Sequence, residues 1–316
     1  MAELDLLRSL PFEIAEPSEE ARGRARGRLL RHMRRSGSAR RRRLLVPAAG
    51  LAAAGATAAL VGVGIHGDGN ASAAPVLRKF AKVAGSQPAP APIGAHRFRY
   101  TKSVQAFLVI DGDKGWVALG PKVRELWEGP SGGLLHETSG KPEFLSGRDR
   151  ALWIAAGRPR VNAPAATEKL PPSPALNLPT NPDALYAKLH DESVGNANGT
   201  EAEMFTLVGD ALRETAASPA LRASLYEVAA RIPGVELVGP AVDRIGRHGL
   251  AVAYAGRVDH ERHELIFDPK TSALLEEEDV ALDGNEFGYP AGTVIGYATY
   301  VSTGVVDDLG ARPTPR

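Results

Sequence analysis

Residues 218–238 read SPALRASLYEVAARIPGVELV, and this stretch contains the change from helix to strand that decides the fold. Ser218 suits the N-cap of a helix, because its hydroxyl can accept from free N–H groups of the first turn, and Pro219 suits the first helical position. The apolar residues then recur at helical spacing, at Leu221, Leu225, Val228 and Ile232. Pro233-Gly234 ends the helix, and the residues after it predict a strand.

Strand-like runs lie on both sides of the helices. In residues 97–155, short apolar runs are separated by Asp-Gly, Gly-Pro and Gly-Gly turn signals. A helical block then begins at Asn181, a good N-cap, followed by Pro182 and Asp183. Strands, a helical insert and strands again predict an α+β domain over residues 97–316. We expect one antiparallel sheet, which as a curved sheet would form a half-barrel, with helices on one face.

An uncharged run of 22 residues, LLVPAAGLAAAGATAALVGVGI at 44–65, directly follows Arg40–Arg43. A helix of this length covers roughly 33 Å, which exceeds the thickness of a bilayer core of about 30 Å. We therefore expect a transmembrane helix over residues 44–65, preceded by a basic cytoplasmic helical arm over residues 1–43. A juxtamembrane helix and linker over residues 66–96 would lead to the α+β domain.

Charge asymmetry predicts the orientation of this helix. The first 43 residues contain twelve arginines and no lysine, and an excess of cations marks the cytoplasmic side. The predicted localisation is the cell membrane, with a single pass, a cytoplasmic N-terminus and the C-terminal domain outside. A cleaved export signal is the alternative, because the run is rich in Gly and Ala, follows paired arginines and precedes an A-x-A pattern at Ala71–Ala73.

The composition favours a binding or regulatory protein over an enzyme. The chain has no cysteine, which excludes disulfide bonds and a cysteine nucleophile, and its net charge is only +1. It has no P-loop, and we expect no catalytic residue, no cofactor and no resident metal. No aromatic side chain accompanies the arginines of the arm, which disfavours direct nucleic-acid binding.

Two polar clusters resemble metal sites at first sight, but their spacing does not support one. In His260–His263 the histidines lie three apart, whereas a zinc-binding helix places them four apart, and in a strand they would point to opposite faces. We interpret this cluster as a polar strand start. The acidic run Glu276–Asp279 lacks the spacing of a calcium loop and predicts a solvated edge strand, protected by its charge from pairing.

Two sets of apolar residues are candidate binding sites. In the arm, leucines at helical spacing would dock a cytoplasmic protein, although a solvated helix that contacts lipid headgroups is the alternative. These docking residues are Leu4, Leu6, Leu7, Leu29, Leu30 and Met33. In the C-terminal domain, aromatic side chains of the first strands would line a cavity for an apolar ligand if the sheet curves, and are otherwise ordinary sheet residues. These cavity residues are Phe98, Phe107, Trp116, Leu126, Trp127 and Trp153.

Segments along the whole chain resemble an actinobacterial family of single-pass, membrane-anchored proteins of uncharacterised activity. They include ELDLLRSL at Glu3–Leu10, LPTNPDAL at Leu178–Leu185, ELIFDPKTSALLEEE at Glu264–Glu278, YVSTGVVDDLGARP at Tyr300–Pro313 and the helical block that ends in ARIPGV. Genes of this family often lie beside those of extracytoplasmic-function sigma factors. The resemblance therefore implies a non-enzymatic bitopic sensor or regulator linked to such a sigma factor, which would dock at the arm.

The strand–helix–strand layout also resembles the half-barrel of lipoprotein carriers and periplasmic sigma regulators, in which a curved sheet holds an apolar ligand. The alternative function that this implies is a membrane-anchored binding protein for a lipid or another apolar ligand. Fold-level likeness does not determine function, so both functions stay open.

Overall fold

The computed structural model describes residues 71–88, 97–171, 178–214, 217–258 and 260–314. Within these residues there are five helices and ten strands. The helices are α1 (Ala74–Gly85), α2 (Gly147–Ala155), α3 (Pro182–Ser193), α4 (Thr200–Glu214) and α5 (Pro219–Ala229). The strands are β1 (Phe98–Asp111), β2 (Trp116–Leu119), β3 (Lys122–Gly129), β4 (Gly132–Ser139), β5 (Ala166–Leu170), β6 (Val235–Val242), β7 (His248–Ala255), β8 (Glu261–Phe267), β9 (Leu274–Ala281) and β10 (Val294–Val306).

All strands pair antiparallel in one sheet of order β5-β4-β3-β1-β10-β9-β8-β7-β6, and β2 pairs with the far end of β1. The sheet is made of two meanders, which we call the N-terminal half-sheet (β1–β5) and the C-terminal half-sheet (β6–β10). The long strands β1 and β10 join them, in a register that runs from Phe98 opposite Val306 to Phe107 opposite Gly296.

Four helices, α1, α3, α4 and α5, cover one face of strands β6–β9. Their apolar side chains form the largest core of the protein with Val252, Leu265 and Phe267 of the sheet. The ring of Phe267 lies 5.4 Å from the rings of both Phe80 and Tyr226, centroid to centroid. The four helices thus cover only one face of these strands, and the opposite face carries a different set of side chains.

Side-chain caps begin two of these helices where the sequence predicts them. The side chain of Asn181 accepts from the backbone N–H groups of Asp183 and Ala184, both at 3.0 Å. The hydroxyl of Ser218 accepts from the N–H of Leu221 at 3.1 Å. Both predicted starts are confirmed, because a cap needs only its immediate neighbours in the chain.

The face of the sheet opposite to the four helices, which we call the distal face, is identified by strand alternation. Leu265 and Phe267 of β8 face the helices, so Glu264 and Ile266 lie on the distal face. Three small apolar clusters are found there, one around Ala106, Leu119 and Tyr297, one around Phe98, Tyr100, Trp127 and Val306, and one around Ala251, Ile266 and Leu275.

The predicted fold class, a cytoplasmic arm, a transmembrane helix and an extracytoplasmic sheet, is contradicted by the length and polarity of the observed helices. Among the described residues, no helix is both long and apolar enough to cross a membrane. The longest, α4, has 15 residues, whereas a span needs about 20. The predicted single-pass localisation, with a cytoplasmic N-terminus and an outer domain, is contradicted by the same finding. The arm at 1–43 and the run at 44–65 lie outside the described residues.

Helix α1 belongs to the segment 66–96 that the sequence predicts as a juxtamembrane helix and linker. In the structure it packs into the main core through Leu77 and Phe80, both buried. Residues just before it pair with β6: the N–H of Leu237 donates to the carbonyl of Ala71 at 2.8 Å, and the N–H of Ala73 donates to the carbonyl of Val235 at 3.3 Å. Residues 71–85 of this segment therefore pack with the sheet.

Candidate functional site: a charged belt on the distal face

Charged side chains form a row on the distal face of strands β8, β9, β1 and β3, interrupted at β10, whose distal residues at this level are Tyr297 and Thr299. Strand register places them on this side: Glu278 of β9 lies opposite Glu264 of β8 and Tyr297 of β10, and Glu276 lies opposite Ile266 and Thr299. We call this row the charged belt. Its members are Arg262, Glu264, Glu278, Glu276, Arg244, Lys102, Glu125 and Arg312.

The prediction that Glu276–Asp279 forms a solvated edge strand is wrong. These residues lie in β9, a central strand between β8 and β10, and Glu276 is 0% exposed. Consecutive carboxylates do point to opposite faces: Glu277 lies on the helix side, where it accepts from Nε of Arg213 at 2.8 Å and from the hydroxyl of Tyr300. Strand order arises from pairing between distant segments, so the acidic composition of the run could not reveal its central position.

Glu276 is the centre of the belt. One of its carboxylate oxygens, Oε2, accepts from the backbone N–H of Arg244 at 2.9 Å and from the hydroxyl of Thr299 at 2.7 Å. The Nε atom of Arg244 lies 3.6 Å from the other oxygen and 3.8 Å from Oε1 of Glu278. The guanidinium carbon of Arg244 also lies 3.7 Å from the ring centroid of Tyr297, a cation–π contact. The β6–β7 loop is thus held on β9 by charge and by an aromatic face.

Glu278 is the titratable member of this group in the neutral pH range. Burial and then the neighbouring charge of Glu276 raise its pKa to about 8, against the opposing effect of Arg244. A carboxyl with this pKa is mostly protonated at pH 7, so it can donate a hydrogen bond to Glu276. The two carboxyls then share one negative charge, which Arg244 balances.

Glu264 carries the belt to β8. Its Oε1 accepts from Nε of Arg262 at 2.7 Å, and a second nitrogen of the same guanidinium contacts the same oxygen. On the other face, His263 of β8 lies within hydrogen-bond distance of Asp279, with 2.6 Å between Nδ1 and Oδ1. The predicted polar strand start at His260–His263 is confirmed, since β8 begins at Glu261 and His263 and Glu264 point to opposite faces.

Glu125 forms the other end of the belt, on β3. It accepts from the hydroxyl of Tyr100 at 2.6 Å and, through both oxygens, from the guanidinium of Arg312 at 2.6 and 2.8 Å. The Arg312 hydrogen bond is the main reason that the pKa of Glu125 is lowered to about 2, and Tyr100 adds to it against the effect of burial. Burial, and then Glu125, raise the pKa of Tyr100 to about 12. Glu125 is therefore ionised at any physiological pH.

The six predicted cavity residues do not come together on one surface. Phe98 and Trp127 share the aromatic cluster of the distal face, where the rings of Trp127 and Tyr100 lie 5.2 Å apart. Leu126 is next to Trp127 on β3 and points to the other face. The others lie on separate elements: Phe107 on β1, Trp116 on β2 and Trp153 on α2. The six predicted docking residues Leu4, Leu6, Leu7, Leu29, Leu30 and Met33 lie outside the described residues.

One serine-containing pattern lacks the arrangement of a catalytic motif. Residues 129–133, GPSGG, match G-x-S-x-G in letters, but they form the turn of the β3–β4 hairpin, whereas a nucleophile elbow joins a strand to a helix. Within the described ranges, no group of three or more His, Asp or Glu side chains could hold a metal ion.

Sequence reasoning missed most of the belt. Arg244, Lys102 and Arg312 lie far apart in the chain, and only the fold brings them to one face. The available signal was a charged residue two positions from an aromatic one, as in Tyr100–Lys102 and Glu125–Trp127, since that spacing puts both side chains on the same face of a strand.

Comparisons with known proteins give little beyond this geometry. No protein-family model matches the chain, and no curated protein matches it. Among solved structures, the chain is similar to the crystal structure of MucB in complex with MucA(peri), with 14% sequence identity and a TM-score of 0.24. The match covers 77% of this chain and 57% of that chain, so this chain spans little more than half the length of that structure's chain. A likeness with so low a TM-score shows neither a shared fold nor a shared function.

Proposed function

We propose that this protein is a non-enzymatic regulator that binds another protein through the charged belt and is linked to the control of an extracytoplasmic-function sigma factor. The observation that supports protein binding is the belt, a row of charged side chains on four strands of the distal face and on two segments that fold onto it. The sigma-factor link is supported by the resemblance of the sequence to a family encoded beside such factors.

The belt has the layout of a recognition surface. Its carboxylates form the floor, since Glu276 is 0% and Glu125 and Glu264 are each about 8% exposed as side chains. Its cations lie above them and reach solvent, with 31% of the Arg244 side chain and a similar share of Arg262 exposed. A partner would therefore meet the guanidinium groups of Arg244 and Arg262, which are held in place from below and suit an acidic protein surface.

Burying the charges of the belt costs free energy, which indicates that they do more than stabilise the fold. Half-buried charges lose hydration that their pairing barely returns, and apolar side chains of similar size often stabilise a fold as well or better. Arg244, which lies between Glu276 and Glu278, would be replaceable by an apolar residue if the face had only to be covered. Fixed charges contribute instead to partner choice and to the rate of association.

A transcriptional reporter for the sigma factor tests the proposal in the organism that carries the gene. The gene is deleted and replaced by the wild type, by K102E or R262E in the belt, or by the matched control K188E on α3. Lys188 is an exposed partner of Glu192 at 3.0 Å and lies away from the distal face. We expect deletion to change sigma-dependent transcription, the two belt variants to behave like the deletion, and K188E to behave like the wild type.

The outcomes separate the two parts of the proposal. A reporter that does not respond to deletion rules out the sigma-factor link. A response to deletion together with normal function of both belt variants removes the belt as the interface. Mass spectrometry of an organic extract of the purified protein tests the alternative function. A lipid present in stoichiometric amount would favour a binding protein for an apolar ligand.

A further inference from the structure

The segment after β10 folds back over the distal face at the ends of β10, β1 and β3. Its carbonyl at Ala311 accepts from the indole N–H of Trp127 at 2.5 Å, and Arg312 forms a two-pronged ion pair with Glu125. The ring of Pro313 lies directly over Gly304 of β10. Three consecutive residues of the chain thus fill one small recess.

The recess, which we call the arginine cleft, is built from Tyr100, Glu125, Trp127 and Gly304. Trp127 and Tyr100 are each 2% exposed, and Glu125 is almost as deeply buried. Each part of the cleft contacts a different part of the segment. The indole N–H of Trp127 donates to a carbonyl, the carboxylate of Glu125 binds a guanidinium, and Gly304 leaves room for a proline ring. A side chain at Gly304 would not fit, because a Cβ there would lie 2.6 Å from Cγ of Pro313.

The segment is held at these three residues and only loosely before them. Residues 307–310 are exposed, and Gly310 turns the chain with a φ of +86°. The ion pair of Asp307 with Arg97 lies in solvent, at a distance of 2.9 Å, where such pairs contribute little. The side chain of Arg312 is itself 63% exposed. The segment can therefore leave without breaking a strand of the sheet.

The cleft cannot stay empty at low cost. Without Arg312, the buried charge of Glu125 would keep the Tyr100 hydroxyl as its hydrogen-bond donor, with Lys102 acting only through its charge, and a buried charge that loses its ion-pair partner is strongly unfavourable. A guanidinium matches the two oxygens in parallel, which an ammonium group does not. Any replacement for the segment must bring an arginine.

We propose that the arginine cleft is a peptide-recognition site, which residues 311–313 of the chain occupy and which an arginine-bearing extended segment of a protein partner takes in exchange. The required features are a carbonyl before the arginine and a small or proline residue after it. The inference rests on the proposed function only in needing a protein partner, and it holds whether or not that partner belongs to sigma-factor control.

Fluorescence anisotropy with a labelled peptide of the chain's own sequence, LGARPTP, tests the site on the full-length protein. We compare the wild type, R312A, which removes the competing side chain, and the double variant R312A/E125Q, which also removes the carboxylate. R231A is the matched control, because Arg231 is an exposed arginine paired with Asp183 on the helix side.

We expect R312A to bind the peptide at least about tenfold more tightly than the wild type or R231A, and the double variant to lose this gain. The peptide LGAKPTP should bind at least about tenfold more weakly than LGARPTP, since lysine cannot make the two-pronged contact. In R312A/G304A, the added methyl group should weaken LGARPTP more than LGARGTP, because only glycine lacks the Cβ atom that a side chain at position 304 would meet. If R312A does not fold, R312K makes the same comparison while keeping a cation over Glu125.

Equal binding of the arginine and lysine peptides, or no binding to any folded variant, would overturn the proposal. Size-exclusion chromatography of the wild type tests whether a second copy of this chain occupies the cleft. A concentration-dependent dimer that R312A abolishes would show that the cleft takes the segment of a second copy, and would overturn exchange with a different protein.

Discussion

The two half-sheets share one hydrogen-bonded ladder but obtain their stability in different ways. The C-terminal half-sheet lies under four helices, and its strands β6–β9 contribute to one large apolar core. The N-terminal half-sheet is covered by smaller pieces, the short helix α2 beside β2 and the segment after β10. Stability is thus concentrated in one half, and the other half is the one that can exchange its cover. The predictions below test this difference, from the largest expected effect to the smallest.

The largest effect is expected from F267A in the C-terminal half-sheet. Phe267 is 1% exposed and touches the rings of both Phe80 and Tyr226, so its removal leaves a cavity beneath the helices. We expect the free energy of unfolding to fall by about 3–5 kcal/mol, measured by chemical denaturation. The control I110A, at an exposed position of β1, should change it by no more than about 0.5 kcal/mol. A small effect of F267A would show that the core is not concentrated there.

A nearly equal loss is expected from R213A, which breaks the ion pair between α4 and β9. Arg213 donates to both oxygens of Glu277, and both side chains are mostly buried. The variant leaves Glu277 with an uncompensated charge and should cost about 3 kcal/mol or more. K188A, which removes an exposed pair on α3, should cost less than about 0.5 kcal/mol in the same denaturation experiment. Similar costs for the two variants would contradict the burial of the Arg213 pair.

Glu278 should make stability fall as the pH rises. Its pKa is raised to about 8 from the usual 4.5 of a glutamate, so the folded state binds the proton more tightly than the unfolded state. The resulting stabilisation is fully present below about pH 4.5 and is lost as the pH rises through 8. Between pH 6 and pH 8 we expect a decrease of about 2 kcal/mol that E278Q removes. Identical pH profiles of wild type and E278Q would show that this carboxyl is not protonated in the folded state.

The smallest effects on stability are expected from removing the N-cap hydroxyls of two helices, α5 and α2. S218A removes the hydroxyl that accepts from Leu221 at the start of α5, in the main core, and should lower the global stability by about 1 kcal/mol. S146A removes the equivalent hydroxyl that accepts from Asp149 at the start of α2. We expect hydrogen exchange to show local opening of α2 in S146A, with less change in global unfolding than in S218A. Equal global effects would mean that α2 belongs to the same cooperative unit as the core.

Local signals predicted local structure well, and long-range pairing explains what they missed. Asn181 and Ser218 cap their helices as predicted, because a cap depends on residues two or three positions away. For the acidic run of β9 the prediction was wrong: its charges suggest an edge strand, but β9 pairs with β8 on one side and β10 on the other. The ion pair of Glu125 with Arg312 joins residues 187 positions apart, and no local pattern can reveal such a pair.

The apolar run at 44–65 led to the transmembrane prediction through its length and lack of charge alone. Much of it is Ala and Gly, which add little hydrophobic burial for each residue. The helices that the structure describes are too short or too polar for a span and pack on the sheet instead. Of the candidate cavity residues, only Phe98 and Trp127 share a cluster, because neighbouring positions on a strand face opposite sides.

The pairing of β1 with β10 has a consequence for synthesis in the cell. Strand β1 leaves the ribosome long before its partner on one side, β10, because eight strands and four helices are made between them. At typical translation rates the edge of β1 that will meet β10 waits for roughly 10–40 s. During this time it presents unpaired N–H and C=O groups to every other nascent strand. A chain stopped before β10 should therefore depend strongly on chaperones, even though its helices and hairpins could already have formed.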